Sequence, residues 1–291
     1  STKSARKSFT DFKRCLVLED TVQVRFDFMA KVYPIFSGSK GNCYYVTTGG
    51  RGILIDAGRT AKQIEKALAD NQLDPKSIEG IFVTHEHSDH IKGVRVFASR
   101  YGINVYATEG TLQEMDKGNH LTPDKFSSYI INSGACVAGM TVKPFATSHD
   151  CAESVGYVIE TPDNRKLAIA TDTGCITDEV RKALTGSDVV IIESNHDVNM
   201  LLNGIYPYML KRRILSNNGH LSNETCSEFL PELVRSGSTR FLLAHLSQEN
   251  NMPHIALESA RCALSQRGMK ENSDYTISVA KEVTDGSYII F

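Results

Sequence analysis

The chain has no tryptophan, and among its 291 residues no run of apolar side chains exceeds four. A helix crossing a bilayer needs about 20 such residues in succession, so none is encoded, and no membrane partner is expected. The same shortage argues against the apolar centre of a secretory signal peptide in these residues. An excess of charge is also lacking: 32 Lys and Arg stand against 34 Asp and Glu, a formal net charge of −2. That excludes a broadly basic nucleic-acid coat but leaves a local basic groove open. Close cysteine pairs are missing too. The seven cysteines lie at 15, 43, 136, 151, 175, 226 and 262, never nearer than fifteen residues, so there is no CxxC metal or redox motif. This usage fits a reduced, cytoplasmic protein whose thiols serve as small buried hydrophobes. What remains is ordinary for a globular chain, 41% hydrophobic and 23% charged, except for nine histidines whose placement is informative.

Residues 1–28 carry six basic and four acidic side chains with little periodicity, and Met29 precedes the first strand-like run. They are expected to be a leader or an added extension, poorly structured, with 29–291 forming a single domain of net charge −4. From there short β-like runs and helical segments follow in order. Strands are expected at Lys31–Ile35, Cys43–Thr47, Gly52–Ile55, Gly80–Val83, Val105–Ala107, Ser127–Ile131, Thr141–Phe145, Val155–Glu160, Lys166–Ala170, Val189–Ile192, Phe241–Ala244, Tyr275–Val279 and Tyr288–Phe291. Gly49-Gly50 reads as a hairpin turn. Helices are expected around Ala61–Leu68 and at Val94–Arg100, Gly110–Lys117, Asp178–Leu184, Tyr208–Leu215, Glu224–Val234 and His254–Gln266. Two successive β-rich halves, each followed by helices, predict an α/β protein with two packed sheets and helices outside.

The strongest chemical signal is Thr84-His85-Glu86-His87-Ser88-Asp89-His90, three imidazoles and two carboxylates directly after an apolar strand. Imidazole and carboxylate donors suit Zn²⁺ and related divalent ions. In an extended segment His85 and His87 point the same way, while Asp89 and His90 can turn toward a second position. More candidate ligands follow other β-runs: His149, Asp172 and His245. Each sits where a rigid strand hands over to a loop, a place suited to a preorganised ligand.

Taken together, His85-x-His87-x-Asp89-His90, His149, Ala170-Thr171-Asp172-Thr173-Gly174 and His245 resemble the metal motifs of the metallo-β-lactamase superfamily, and Leu54-Ile55-Asp56-Ala57-Gly58 resembles its first motif. The likeness extends over about 31–291. It implies a four-layer αββα sandwich with the site at one edge between the sheets. It also implies His85, His87 and His149 on one metal, Asp89, His90 and His245 on the other, Asp172 bridging, and Asp56 supporting the metal loop. Flavodiiron relatives carry Glu where this chain has His87, which points to hydrolysis rather than oxygen chemistry. Two ions, zinc or manganese, would activate a shared water that Asp89 helps to orient.

The superfamily holds lactamases, thioesterases, phosphodiesterases and nucleases, so the fold alone leaves the substrate open. Glu193, after the strand Val189–Ile192, and His220 in Gly219-His220-Leu221-Ser222-Asn223 resemble the phosphodiesterase branch. There a Glu steadies a His that protonates the leaving oxygen, a task suited to the side chain with the pKa nearest neutrality. Ser222 and Asn223 open a helix where main-chain N–H groups favour phosphate, with Asn223 equally fit to be a plain N-cap. Lys211 and Arg213, in a basic triplet upstream of His220, could follow a phosphodiester backbone. Ser37-Gly38-Ser39-x-Gly41-Asn42 looks like a small-residue loop able to offer N–H groups to phosphate through Ser37, Ser39 and Asn42. With Tyr206-Pro207 it resembles the YycJ/WalJ group of small bacterial DNA exonucleases that act from the 5′ end. The expectation is therefore a two-metal phosphodiesterase acting on nucleic acid, DNA rather than RNA. The alternatives are a small-molecule metallo-hydrolase and a metal-binding module without turnover.

Overall fold

The computed structural model describes residues 29–291, so the reading of 1–28 as a leader lies outside the described residues. Two seven-stranded sheets face one another. The first is built from β1 (Lys31–Phe36), β2 (Cys43–Thr48), β3 (Arg51–Ile55), β4 (Ile78–Phe82), β5 (Asn104–Ala107), β6 (Ser128–Ile130) and β14 (Ile289–Ile290), in the order β14-β1-β2-β3-β4-β5-β6. The second holds β7 (Ala135–Val137), β8 (Met140–Ala146), β9 (Val155–Glu160), β10 (Lys166–Ala170), β11 (Val189–Glu193), β12 (Arg240–Ala244) and β13 (Thr276–Val279), in the order β13-β12-β11-β10-β9-β8-β7. Read from β14 and from β7, both sheets make three antiparallel pairings and then three parallel ones. The halves thus share one plan, and β3 in the first matches β10 in the second.

The hairpin between β2 and β3 turns at Gly49 and Gly50, with φ of 57° and 76°. Positive φ at both central residues is what a tight turn matching strand twist demands, and glycine meets it without strain. Helices α1 (Ala61–Asp70), α2 (Ser88–Ile91), α3 (Val94–Tyr101) and α4 (Glu109–Lys117) occur in the first half. Helices α5 (Asp178–Leu184), α6 (Val198–Asn203), α7 (Tyr208–Ile214), α8 (Asn223–Arg235) and α9 (Pro253–Gln266) occur in the second. Thr60 and Gln63 form a reciprocal capping box at the start of α1.

Alternation along the strands builds three apolar layers. Ile53 and Ile55 of β3, Ile169 of β10, Ile191 of β11 and Leu242 of β12 meet between the sheets. Leu54 and Ile81 turn outward onto Ile64, Leu68 and Phe97 of the first helical layer. Ala168, Val190 and Leu243 turn outward onto Leu230, Leu233 and Leu264 of the second. The central parallel strands β3, β4, β10, β11 and β12 are therefore largely apolar on both faces, as strands buried from both sides must be, whereas the edge strands β6 and β13 are partly exposed. The result is the αββα arrangement. Among the described residues no helix is long and apolar enough to cross a membrane.

Candidate metal centre

The carboxyl ends of β3, β4, β10, β11 and β12 converge at one edge of the sandwich. Asp56 follows β3, His85–His90 follow β4, Asp172 follows β10, Glu193 ends β11 and His245 follows β12. Asp56, Asp172 and His245 have φ of 61°, 55° and 54°. A left-handed backbone is unfavourable for a residue with a Cβ and persists where its surroundings hold it in place. Gly58 shows how tight those surroundings are: a Cβ there would lie 1.6 Å from the carbonyl oxygen of Asp89. The 56–58 segment is stitched to the histidine loop by a main-chain bond from Ala57 N to His90 O at 2.8 Å, and through Asn42, which accepts from Gly58 N at 2.8 Å and donates to Asp89 O at 2.7 Å.

Two groups of donors result. His85 Nε2 and His87 Nδ1 are 3.0 Å apart, and His149 Nε2 is 3.3 Å from the same His87 nitrogen. Asp89, His90 and His245 bring one ligand atom each to within 4.8 Å of one another. Asp172 lies between the groups, with Oδ2 3.2 Å from His90 Nε2 and Oδ1 3.8 Å from His149 Nε2.

The far side of most of these rings is fixed by an acceptor, and that decides the tautomer. His90 Nδ1 donates to Asp56 Oδ2 at 2.7 Å, and His149 Nδ1 donates to Gly219 O at 3.0 Å. Thr84 Oγ1 spends its proton on Asp56 Oδ2 at 2.9 Å, so it accepts from His85 Nδ1 at 3.1 Å. In each case Nε2 is the nitrogen that faces inward, and it has a lone pair for ligation when the ring is neutral. The buried atoms Asp172 Oδ2 and His245 Nε2 have no hydrogen-bond partner among the described residues. Buried polar atoms left unpaired are costly, and donors of this kind converging on one point suit divalent cations.

Glu193 is fully buried and carries four donors. Its Oε1 accepts from His245 Nδ1 at 2.7 Å and from His220 Nδ1 at 2.8 Å, while Oε2 accepts from the N–H groups of Thr173 and Leu221 at 2.9 and 3.1 Å. Asp172, Glu193, His220 and His245 are close enough to hold an ion themselves. Glu193 has no acceptor capacity to spare for one, so its geometry is that of a support. His220 keeps Nε2 free at the wall of a cavity of about 370 Å³ that also exposes His87, Asp89 and His149.

The charges balance within the cluster. Burial alone would depress His90 and His245, but Asp172 and neighbouring carboxylates hold both well above the ordinary histidine value. Burial would raise the Asp172 carboxyl, but His245 and His90 hold it well below its usual range. His85 is pushed well below its ordinary value by burial and by His90. Burial also opposes protonation of His220, yet the Glu193 carboxylate beneath it leaves that ring raised.

The residues read as phosphate contacts divide. Ser39 and Arg213 line the cavity, Arg213 ion-paired with Asp150. The others are occupied structurally. Ser37 Oγ accepts from the main-chain N–H of His245 at 2.9 Å. Asn42 is buried, its side-chain amide 3.1 Å from His90 Nε2 and 3.4 Å from Asp89 Oδ2. Lys211 Nζ donates to the carbonyls of Leu202 and Gly204 at 2.8 and 2.7 Å, closing the end of α6 instead of entering the cavity. Ser222 is the N-cap of α8, its Oγ accepting from Thr225 N at 3.1 Å. Asn223 is therefore not the cap; it is buried, its Oδ1 accepting from Ser194 Oγ at 2.6 Å and its Nδ2 donating to Asn251 Oδ1 at 2.9 Å. Sequence reasoning gave no role to Thr84 or Asn195, and took Glu86 as a non-ligand, solvated or acting behind the ligands. Asn195 lines the cavity and donates to His245 O at 2.9 Å, and Glu86 accepts from Ala152 N at 2.7 Å, tying the histidine loop to the segment after His149. Only its place beside the histidines could have marked Thr84.

The family described as the beta-lactamase superfamily domain matches residues 51–246. The chain belongs to this superfamily. It is 40% identical over 234 residues to the exodeoxyribonuclease YycJ of Bacillus anthracis, covering 80% of this chain and 88% of the relative. It is 35% identical over 244 residues to the exodeoxyribonuclease WalJ of Streptococcus pneumoniae, covering 83% and 90%. The metallo-β-lactamase fold protein YhfI from Bacillus subtilis superposes with a TM-score of 0.69 at 16% identity, covering 90% of this chain and all of that one. The four-layer fold read from the sequence is thus the fold of the molecule.

Proposed function

We propose that this superfamily member is a two-metal phosphodiesterase acting on DNA, as an exonuclease proceeding from the 5′ end. One observation carries the reading: Glu193 holds, on a single oxygen, both the metal-facing His245 and the cavity-facing His220. A lone support for a metal ligand would not need the second imidazole. The names of the two curated relatives, both exodeoxyribonucleases, support DNA as the substrate.

In this reading His85, His87 and His149 would hold one ion and Asp89, His90 and His245 the other, with Asp172 between the two groups. Zinc or manganese held there would supply Lewis acidity and a water of lowered pKa. Asp89 would orient a water for attack. Arg213, at the cavity wall, offers its guanidinium to a phosphate oxygen. His220, as an imidazolium with Nδ1–H donated to Glu193, would present Nε2–H to the departing oxygen and deliver that proton to the alkoxide leaving group, remaining as the neutral ring. Asp56 and Glu193 act through the rings they fix. The 29–291 segment works as one domain, with the apolar layer between the sheets drawing residues from both halves. Residence in the cytoplasm fits the six described cysteines, all of them free.

The test uses one duplex labelled at the 5′ end and another at the 3′ end, with metal-loaded protein. The expected result is immediate release of labelled mononucleotide from the first and late release from the second. Hydrolysis of a small ester with both DNAs intact would contradict the reading.

A further inference from the structure

The outer side of the segment that walls the metal cavity is unlike the rest of the surface. A four-residue turn, Gly204–Pro207, joins α6 to α7. Tyr206, Leu210 and Arg213 of this segment face the cavity. Their neighbours face solvent: Ile205 is 87% exposed, and Tyr208 and Met209 are each 71% exposed. Large apolar side chains that bare, side by side, mark a binding surface more often than chance. Arg213 is tied to Asp150, but Arg212 makes no ion pair among the described residues and sits 5.9 Å over the Tyr208 ring. The cavity and the apolar face thus meet at one peptide, with Tyr206 turned inward and Ile205 outward.

A cavity of about 370 Å³ is of the size that takes a single drug-sized ligand, so it takes about one nucleotide and not a base pair within a duplex. If DNA ends are the substrate, as proposed above, the two strands must part at its mouth. We propose that Ile205, backed by Tyr208 and Met209, is a strand-separating wedge for duplex ends. The strand to be cut enters past Tyr206 toward the metals. The terminal base of the complementary strand is turned out onto Ile205 and Tyr208, and Arg212 meets its phosphate. Apolar side chains wedged against base steps are an established way to repay unstacking, aromatic rings accept any base face, and a free guanidinium suits the backbone.

This inference rests on the phosphodiesterase reading, and the experiment separates the two. Wild type and Ile205→Ser, metal-loaded, are compared on a blunt duplex and on a single strand of the same sequence. The side chain is exposed, so folding is checked simply by thermal melting. The expected result is a fall of about ten- to hundredfold in the ratio of duplex to single-strand rates, the scale of one lost base stack. A short unpaired 5′ tail on the duplex should restore the ratio. An unchanged ratio, or an equal fall on both DNAs, overturns the wedge. So does a dimer in solution that Ile205→Ser dissociates, because the face would then be a self-interface. Failure of wild type to cut either DNA would remove the phosphodiesterase reading, and the wedge with it.

Discussion

At the scale of single residues, the centre works by giving most of its imidazoles one outward partner and turning the other nitrogen inward. Glu193 makes this assignment twice. His220→Ala should therefore retain metal while cleavage slows by about 10²- to 10⁴-fold, the usual worth of a positioned general acid. Glu193→Gln should lower metal affinity about 10- to 100-fold as well, because an amide at that position misplaces His245. Elemental content and rate, measured on both variants, separate the roles; equal metal loss in the two would show that His220 is a ligand. Protons provide a second check. His90 and His245 are held well above the ordinary histidine value by surrounding carboxylates, so the metal-free rings are charged near neutrality. Ligation needs them neutral, so loading should expel protons and affinity should weaken as pH falls. Calorimetry in two buffers of different ionisation enthalpy at pH 7 would show this as a buffer-dependent heat, and identical heats would contradict it. The ligand residues were legible because three histidines and two carboxylates in six residues have few uses besides a metal. Ser37, Asn42 and Lys211 were not, because a small polar residue or a lysine takes its partner from the tertiary structure: His245 N–H, His90 and two helix-end carbonyls here.

At the scale of elements, strand ends and the loops between them carry the precision. Gly58→Ala would place a Cβ 1.6 Å from a main-chain oxygen of the histidine loop. Relief requires moving Asp89, so the variant should lose about 1–3 kcal/mol of stability together with metal affinity. Thermal melting with and without metal reads both, and wild-type behaviour would show that the loop gives way freely. The strands were legible from runs such as Val189–Ile192 and Phe241–Ala244, whose length and β-branched or bulky character leave little choice. Helix α6 was not, since Val198–Asn203 is six residues long and is defined by the Asp197 cap, whose carboxylate accepts from Met200 N at 2.8 Å. Strand β7 was missed for a similar reason. Three residues, one of them exposed, show no alternation until the turn at Ala138 and Gly139 folds them onto β8.

At the scale of the whole molecule, two halves with the same strand plan bring their carboxyl ends to one edge. Each half contributes a left-handed aspartate after its matching strand, Asp56 beside His90 and Asp172 among the ligands. The sequence shows this pairing only as two Asp-x-Gly steps, Asp56-Ala57-Gly58 and Asp172-Thr173-Gly174, too short to announce a shared plan. Near-neutral overall charge, which first spoke against a nucleic-acid partner, constrains only where contact occurs. In the proposed reading that contact is local, at the metals, Arg213 and the adjoining face of Ile205, Tyr208 and Arg212. The direct test of the account is a titration of metal-free protein with Mn²⁺ or Zn²⁺, following nucleotide release from 5′-labelled DNA against ions bound per chain. Cleavage should emerge with the second equivalent and vanish in His87→Ala. Full activity at one equivalent, or two bound ions with no cleavage, would contradict it.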